Sequence, residues 1–244
     1  NFYFPKSQLT TEHVIATWAG LRPLMAPVSQ SNDVDESSVS REHQILVGKD
    51  GLITIAGGKL TTYRKMSEEV VDTAVKLLRL SGRVTHRVAR CQTEQEPLPG
   101  AVGWPSDDNH ERVRDWVLEI AGDDITERTA TLLANQYGMK SIDIARLIRD
   151  DPTLGRPISL GRPEVYAQVD WAVFHELART LSDVLVRRTQ VYYRDRDQGL
   201  AGIEELSKHM ASLLNWDEAR RLGDISDYKK RVELSRRWKN SISE

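Results

Sequence analysis

One stretch, Leu52-Ile53-Thr54-Ile55-Ala56-Gly57-Gly58-Lys59-Leu60-Thr61-Thr62-Tyr63-Arg64, constrains the fold of this chain more than any other. Its first five residues are mostly apolar and β-prone, the pattern of a short buried strand. Two glycines and Lys59 follow, with Thr61 and Thr62 at helix-capping positions. Beyond them Tyr63, Met66, Val70, Ala74, Leu77 and Leu78 recur at spacings of three and four, which predicts an amphipathic helix running to about Leu80. The order is therefore strand, glycine turn, helix N-terminus. Such a junction offers free backbone N–H groups, a positive dipole end and room for close approach. Lys59 adds a full positive charge, so the chemistry that suits the turn is an electron-rich oxygen or ring edge. Spacing alone also admits glycines that only make the turn, because no G-x-G-x-x-G fingerprint is present.

Ahead of this stretch, His13 to Trp18 mixes β-branched and aromatic residues and predicts a strand. It leads into Ala19-Gly20-Leu21-Arg22-Pro23-Leu24. Pro23 restricts Arg22 to extended backbone, and a stiffly held guanidinium suits phosphate recognition or polarisation of a substrate oxygen. An arginine in a surface turn is the plainer reading. A polar loop, Ser29 to Ser40, follows, and then Arg41-Glu42-His43-Gln44 leads to a strand at Ile45 to Val47. Lys49-Asp50-Gly51 marks a tight turn, so this strand and Leu52 to Ala56 are expected as an antiparallel hairpin. The hairpin would bring Arg41 and Lys59 to the same end of the sheet. His43 reads as a surface or strand-packing residue rather than a base.

Gly57 to Arg64 resembles the flavin-contacting segment of FAD-dependent glycerol-3-phosphate dehydrogenases, and Thr17 to Leu24 is similar to that family's T-x-x-G-x-R-P-L segment. The resemblance implies FAD as cofactor, with Gly58, Lys59, Leu60 and Thr61 at the pyrimidine edge of the isoalloxazine. A helix N-terminus and a lysine there would stabilise the negative charge of the reduced ring. It further implies that Arg22 contacts the substrate and polarises the oxygen that becomes a carbonyl. Arg41 would bind the substrate phosphate, although Glu42-His43 departs from the Asp-Tyr pair usual after that arginine. The implied reaction is oxidation of sn-glycerol 3-phosphate to dihydroxyacetone phosphate, with electrons passed to a quinone-type acceptor. The general base lies upstream of this segment in the family.

The chain begins Asn1-Phe2-Tyr3-Phe4 without Met, and the segment for the FAD pyrophosphate is missing. It is therefore expected to be the C-terminal portion of a longer enzyme, inactive alone. Two other readings stay open. One is a related amine- or amino-acid-oxidising flavoprotein, in which the arginine holds a carboxylate. The other is a non-catalytic helical interaction module.

The expected fold is α+β: residues 1–88 as the remnant of a flavoprotein catalytic body, and residues 89–244 as a mostly helical domain. Ser81-Gly82 ends the first helix, and Pro97-Leu98-Pro99-Gly100 marks the boundary region. Apolar stripes predict helices around Val113 to Ile120, Ile125 to Tyr137 and Ile144 to Ile148, with Ser141 as a cap for the last. Val165 to Phe174 is ambiguous: Val165, Ala167, Val169 and Trp171 alternate like a strand, whereas the following Phe174, Leu177, Ala178 and Leu181 are spaced like a helix. Thr180-Leu181-Ser182-Asp183 resembles a capping box opening one helix through Tyr192, and two more follow over Ile203 to Leu214 and Asp217 to about Lys239. Arg187 and Arg188 read as a helix-surface pair bonded to acidic neighbours. The layout from Cys91 to Tyr228 also resembles the family's C-terminal helical domain, which carries no catalytic residue over.

The net charge of −2 gives no pull toward nucleic acid. Cys91 is the single cysteine, which excludes an internal disulfide and points to a reducing compartment. The histidines lack metal-site spacing, so no metal is expected. No signal-peptide pattern or membrane-spanning run is present, so the expected location is cytoplasmic. The basic tail, Lys229 to Lys239 with Trp238, suits either peripheral contact with the inner face of the cytoplasmic membrane or a solvated helix face. A homodimer is a further partner compatible with the resemblance.

Overall fold

The structure is a computed structural model that describes residues 3–21 and 42–242. The chain forms two compact units, one of Ala19–Pro97 and one that joins Asn1–Trp18 to Leu98–Glu244. The architecture is α+β, with one two-stranded antiparallel sheet among the described residues and helices elsewhere.

In the unit of residues 19–97, β1 (Gln44–Val47) pairs with β2 (Ile53–Ala56) in the register Gln44↔Ala56 to Val47↔Ile53. The predicted turn closes the hairpin: Gly48 N–H donates to the Leu52 carbonyl (2.8 Å), and Gly51 N–H to the Gly48 carbonyl (3.0 Å). Gly51 takes a φ of 86°, the left-handed region that only glycine enters freely. Helix α1 (Tyr63–Leu80) follows. No described residue from 42 to 97 is buried.

The second unit holds the core. Helices α2 (His110–Ala121), α3 (Glu127–Tyr137) and α4 (Ser141–Asp150) pack Val113, Val117, Leu133, Ile144 and Ile148 at zero exposure. The Asn109 side chain caps α2 and the Thr126 side chain caps α3, each accepting a backbone N–H three residues on. Gly122 and Gly138 end those helices with positive φ. Around them lie α5 (Tyr166–His175), a short α6 (Val191–Arg194), α7 (Ile203–Leu214) and α8 (Glu218–Arg236). Asp170 and His209 join α5 to α7 at 2.5 Å. Arg221 of α8 binds Glu218 (2.7 Å) and Glu204 of α7 (2.8 Å).

Four local expectations are corrected. His13 to Trp18 is not a strand: Thr11–His13 is a single 3-10 turn that ends at an extended Val14, and residues 14–18 form no regular element and have no strand partner among the described residues. Thr62 is not a side-chain cap, because its hydroxyl turns back to donate to the Lys59 carbonyl (2.9 Å) across a 3-10 turn, Leu60–Thr62. Ser141 begins α4 rather than capping it, and its hydroxyl donates to the Gly138 carbonyl (2.6 Å). The helix foreseen through Tyr192 is broken into a wide π turn, Asp183–Arg188, and α6. Thr189 drives this break: its N–H (2.9 Å) and hydroxyl (2.8 Å) both donate to the Val184 carbonyl, five residues back. Gln190 then takes a φ of 60°.

The ambiguous Val165 to Phe174 stretch is helical from Tyr166, and the helix ends at His175 instead of running on through Leu177 and Ala178, because Leu177 turns to a φ of 59°. Burial reaches all round it, taking in Tyr166, Ala167, Gln168, Val169, Trp171, Ala172 and Val173, so no polar face exposes the helical period.

Candidate functional site

The site is the turn between β2 and α1. Gly57 and Gly58 have φ of 77° and 85°, so both sit where an L side chain is strained. They are also hemmed in. A Cβ on Gly57 would stand 2.8 Å from the Glu42 carbonyl oxygen, and one on Gly58 would stand 2.6 Å from the Met66 sulfur and 3.1 Å from the His43 Cβ. The hairpin register explains this: one step past Gln44↔Ala56, the residues that enter β1 face those that leave β2. His43 bonds Glu69 of α1 at 2.7 Å through Nε2, so the strand entry and the helix are tied beneath the turn.

Lys59 carries the chain, extended, out of the glycines and into the 3-10 turn ahead of α1. Its side chain is exposed and makes no ion pair among the described residues. The cations that follow are committed: Arg64 pairs with Glu68 (2.7 Å) and Lys65 with Glu68 (3.1 Å). These bonds hold the Glu68 carboxyl below its ordinary range and raise the Arg64 guanidinium. Leu60 is 89% exposed and Thr61 is exposed. The 3-10 turn uses the N–H groups of Thr62 and Tyr63, which donate to the Lys59 and Leu60 carbonyls, so among the described residues the head of α1 presents the Lys59 ammonium, the backbone N–H groups of Leu60 and Thr61 and an apolar side chain. That set can hold the anionic edge of a planar group. The Thr62 hydroxyl is already used.

Gly58, Lys59, Leu60 and Thr61 are brought together at one turn, as adjacent residues must be. Arg22 and Arg41 lie outside the described residues. Sequence reasoning missed the support of the turn by His43, Glu69 and Met66. Met66 belongs by spacing to the helix stripe, and nothing local signals that it closes on Gly58. Among the described residues no group of His, Cys, Asp or Glu could hold a metal ion. Arg187 binds Asp183 (2.7 Å) and Arg188 donates to the Glu176 carbonyl (2.7 Å), local ties rather than a site. In the basic tail, Lys230 pairs with Asp227 (3.1 Å) and Arg236 donates to Gln198 (2.6 Å), while Lys229, Arg231 and Arg237 stay exposed.

Residues 91–221 match the family model described as the C-terminal domain of alpha-glycerophosphate oxidase. The chain belongs to the FAD-dependent glycerol-3-phosphate dehydrogenase family. The mitochondrial glycerol-3-phosphate dehydrogenase of Arabidopsis thaliana is 28% identical over 93% of this chain and 36% of its own length. The glycerol-3-phosphate dehydrogenase of Synechocystis sp. is 30% identical over 96% of this chain and 40% of its own. The aerobic glycerol-3-phosphate dehydrogenase of Staphylococcus haemolyticus is 32% identical over 90% of this chain and 38% of its own. The glycerol-3-phosphate dehydrogenase of Bacillus halodurans, solved as a complex with FAD, superposes with a TM-score of 0.67 at 25% identity, over 95% of this chain and 42% of that one. The chain therefore spans well under half the length of each of these dehydrogenases.

Proposed function

We propose that this chain is the C-terminal part of a flavoenzyme that oxidises sn-glycerol 3-phosphate to dihydroxyacetone phosphate. The observation that carries the reading is the turn at Gly57-Gly58-Lys59. Two glycines held at positive φ against Glu42, His43 and Met66 present an exposed lysine, without an ion pair among the described residues, at a helix N-terminus. It lies in a chain whose relatives are glycerol-3-phosphate dehydrogenases. FAD, when bound, supplies the hydride acceptor.

The residues of this chain have distinct parts in the reading. Lys59 and the N–H groups at Leu60 and Thr61 stabilise negative charge at the pyrimidine edge, and Gly58 lets the backbone approach it. Arg22 holds the substrate oxygen that becomes the carbonyl, and Arg41 holds the phosphate. Residues 42–97 contain no buried residue, which supports their belonging to a larger catalytic body, since a hairpin and one helix cannot make a core. In the same reading electrons leave for a quinone-type acceptor. The exposed Lys229, Arg231 and Arg237 of the tail meet an anionic membrane surface from the cytoplasmic side. No helix among the described residues is long and apolar enough to cross a membrane.

The test uses the full product of the reading frame that contains this chain. It should purify with flavin, and anaerobic glycerol 3-phosphate should bleach the flavin absorbance. Lys59→Ala should lower both flavin retention and the flavin midpoint potential. A colourless wild-type protein, or bleaching by sarcosine but not by glycerol 3-phosphate, would overturn the proposal.

A further inference from the structure

The glycine turn between β2 and α1 is closed from two sides by residues outside it. On one side stands α1. The Thr62 hydroxyl lies between the Lys59 carbonyl (2.9 Å) and the Met66 sulfur (3.5 Å), and that sulfur lies where it would meet a Cβ on Gly58. On the other side stands the entry to β1, with the Glu42 carbonyl against Gly57 and the His43 Cβ against Gly58.

One side-chain bond joins these two sides. His43 Nε2 meets a Glu69 oxygen at 2.7 Å, across 26 residues of sequence. Glu69 is three residues beyond Met66, so both lie on the same face of α1. An ionised carboxylate only accepts, so Nε2 carries the proton and donates it. The other Glu69 oxygen faces Lys65 Nζ at 3.9 Å, which holds the carboxylate between the helix and the strand entry. The His43 side chain is only 20% exposed. The two glycines themselves are permissive, and nothing in them fixes the direction in which Lys59 leaves the turn. The bond beneath them does.

We infer that His43 and Glu69 are positioning residues of this turn. Their bond fixes the angle at which Lys59 and the N–H groups of Leu60 and Thr61 meet negative charge. The inference rests on the function proposed above and adds to it what keeps the flavin-facing groups in place. Reduction gathers negative charge at the pyrimidine edge of FAD, so donors aimed there count for more toward the reduced form. A turn that drifts from its angle therefore loses more of its hold on reduced FAD than on oxidised FAD, whereas general loosening weakens both alike.

The test uses the full product of the reading frame, stripped of flavin and titrated with FAD in its oxidised and reduced forms. His43→Ala and Glu69→Ala should each raise the dissociation constant of reduced FAD about 2- to 10-fold more than that of oxidised FAD, the scale of one hydrogen bond. The double variant should be no worse than either single one, since both remove the same bond. Glu69→Gln keeps an acceptor for the Nε2 proton and should keep the wild-type ratio of the two constants. Folded single variants that bind both forms as the wild type does, or that lose both equally, would sink the inference alone. Should His43→Ala fail to fold, Glu69→Ala decides, because that side chain is 39% exposed. A wild-type product that takes up no FAD would remove the proposed function and this inference together.

Discussion

Gly58 and Met66 are so close that a Cβ on the glycine would stand 2.6 Å from the methionine sulfur. The sulfur is the far part of a flexible side chain and can move. The φ of 85° cannot be relieved that way. Gly58→Ala is therefore expected to cost about 1–3 kcal/mol in backbone strain. The measured effect should be a melting temperature lower by several degrees and a weaker hold on flavin in the full reading-frame product. An unchanged melting curve would mean that the turn tolerates a side chain.

Glu164 has no exposed surface, and Arg162 closes on it through two nitrogens at 3.0 and 3.2 Å. Arg194 adds charge at 3.6 Å. The Glu164 carbonyl also accepts from Ile158 N–H (2.8 Å), so the irregular stretch around Gly161 is pinned at both side chain and backbone. Removing one partner of a buried pair typically costs about 3–5 kcal/mol. Glu164→Ala should fall near the low end of that range, since both guanidinium groups are partly exposed and can rehydrate. Urea unfolding of the helical unit's signal would measure it, and a change under about 0.5 kcal/mol would contradict the assignment.

Burial pushes the Tyr137 phenol up from 10.0 to about 12, against a smaller opposite effect of the hydrogen bond from Gln168. The unfolded chain would lose this proton first as pH rises. Stability from keeping the phenol neutral is full below pH 10 and is lost as pH climbs toward about 12. Tyr137→Phe cannot ionise, so its melting temperature should fall less across that window than the wild type's. Parallel decline of the two proteins would count against the burial.

Local pattern made much of this fold readable. The Lys49-Asp50-Gly51 turn, the hairpin and the stripe from Tyr63 to Leu78 are short-range features, and each appears at its expected place. The stripes ending at Ile120 and Tyr137 also become helices, each ended by the glycine that follows, Gly122 and Gly138. What failed was tertiary in origin. The β-branched run leading to Trp18 pairs with no strand among the described residues and is held instead by α6 and α8, more than 170 residues later. Helix α5 hid its period because its surroundings bury it all round. The π turn before Gln190 depends on the Thr189 hydroxyl choosing a carbonyl five residues back, a choice that composition does not announce. At the site, the glycines and Lys59 were legible as a string, whereas the roles of His43, Glu69 and Met66 come only from the meeting of β1 with α1.

Residues 14–18 lie as a strap on the helical unit, where Ala16 packs on the core, Thr17 bonds the Ser235 carbonyl and Trp18 meets Tyr193. Residues 19–97 leave the helical unit and return to it, so that unit is made from two separated pieces of chain. A single cut after the first helix would carry away Ala16, Thr17 and Trp18 and uncover the surface around Tyr193. Moving this bundle onto another scaffold requires two junctions, and an excised tail lacking the strap would expose aromatic surface to its own copies.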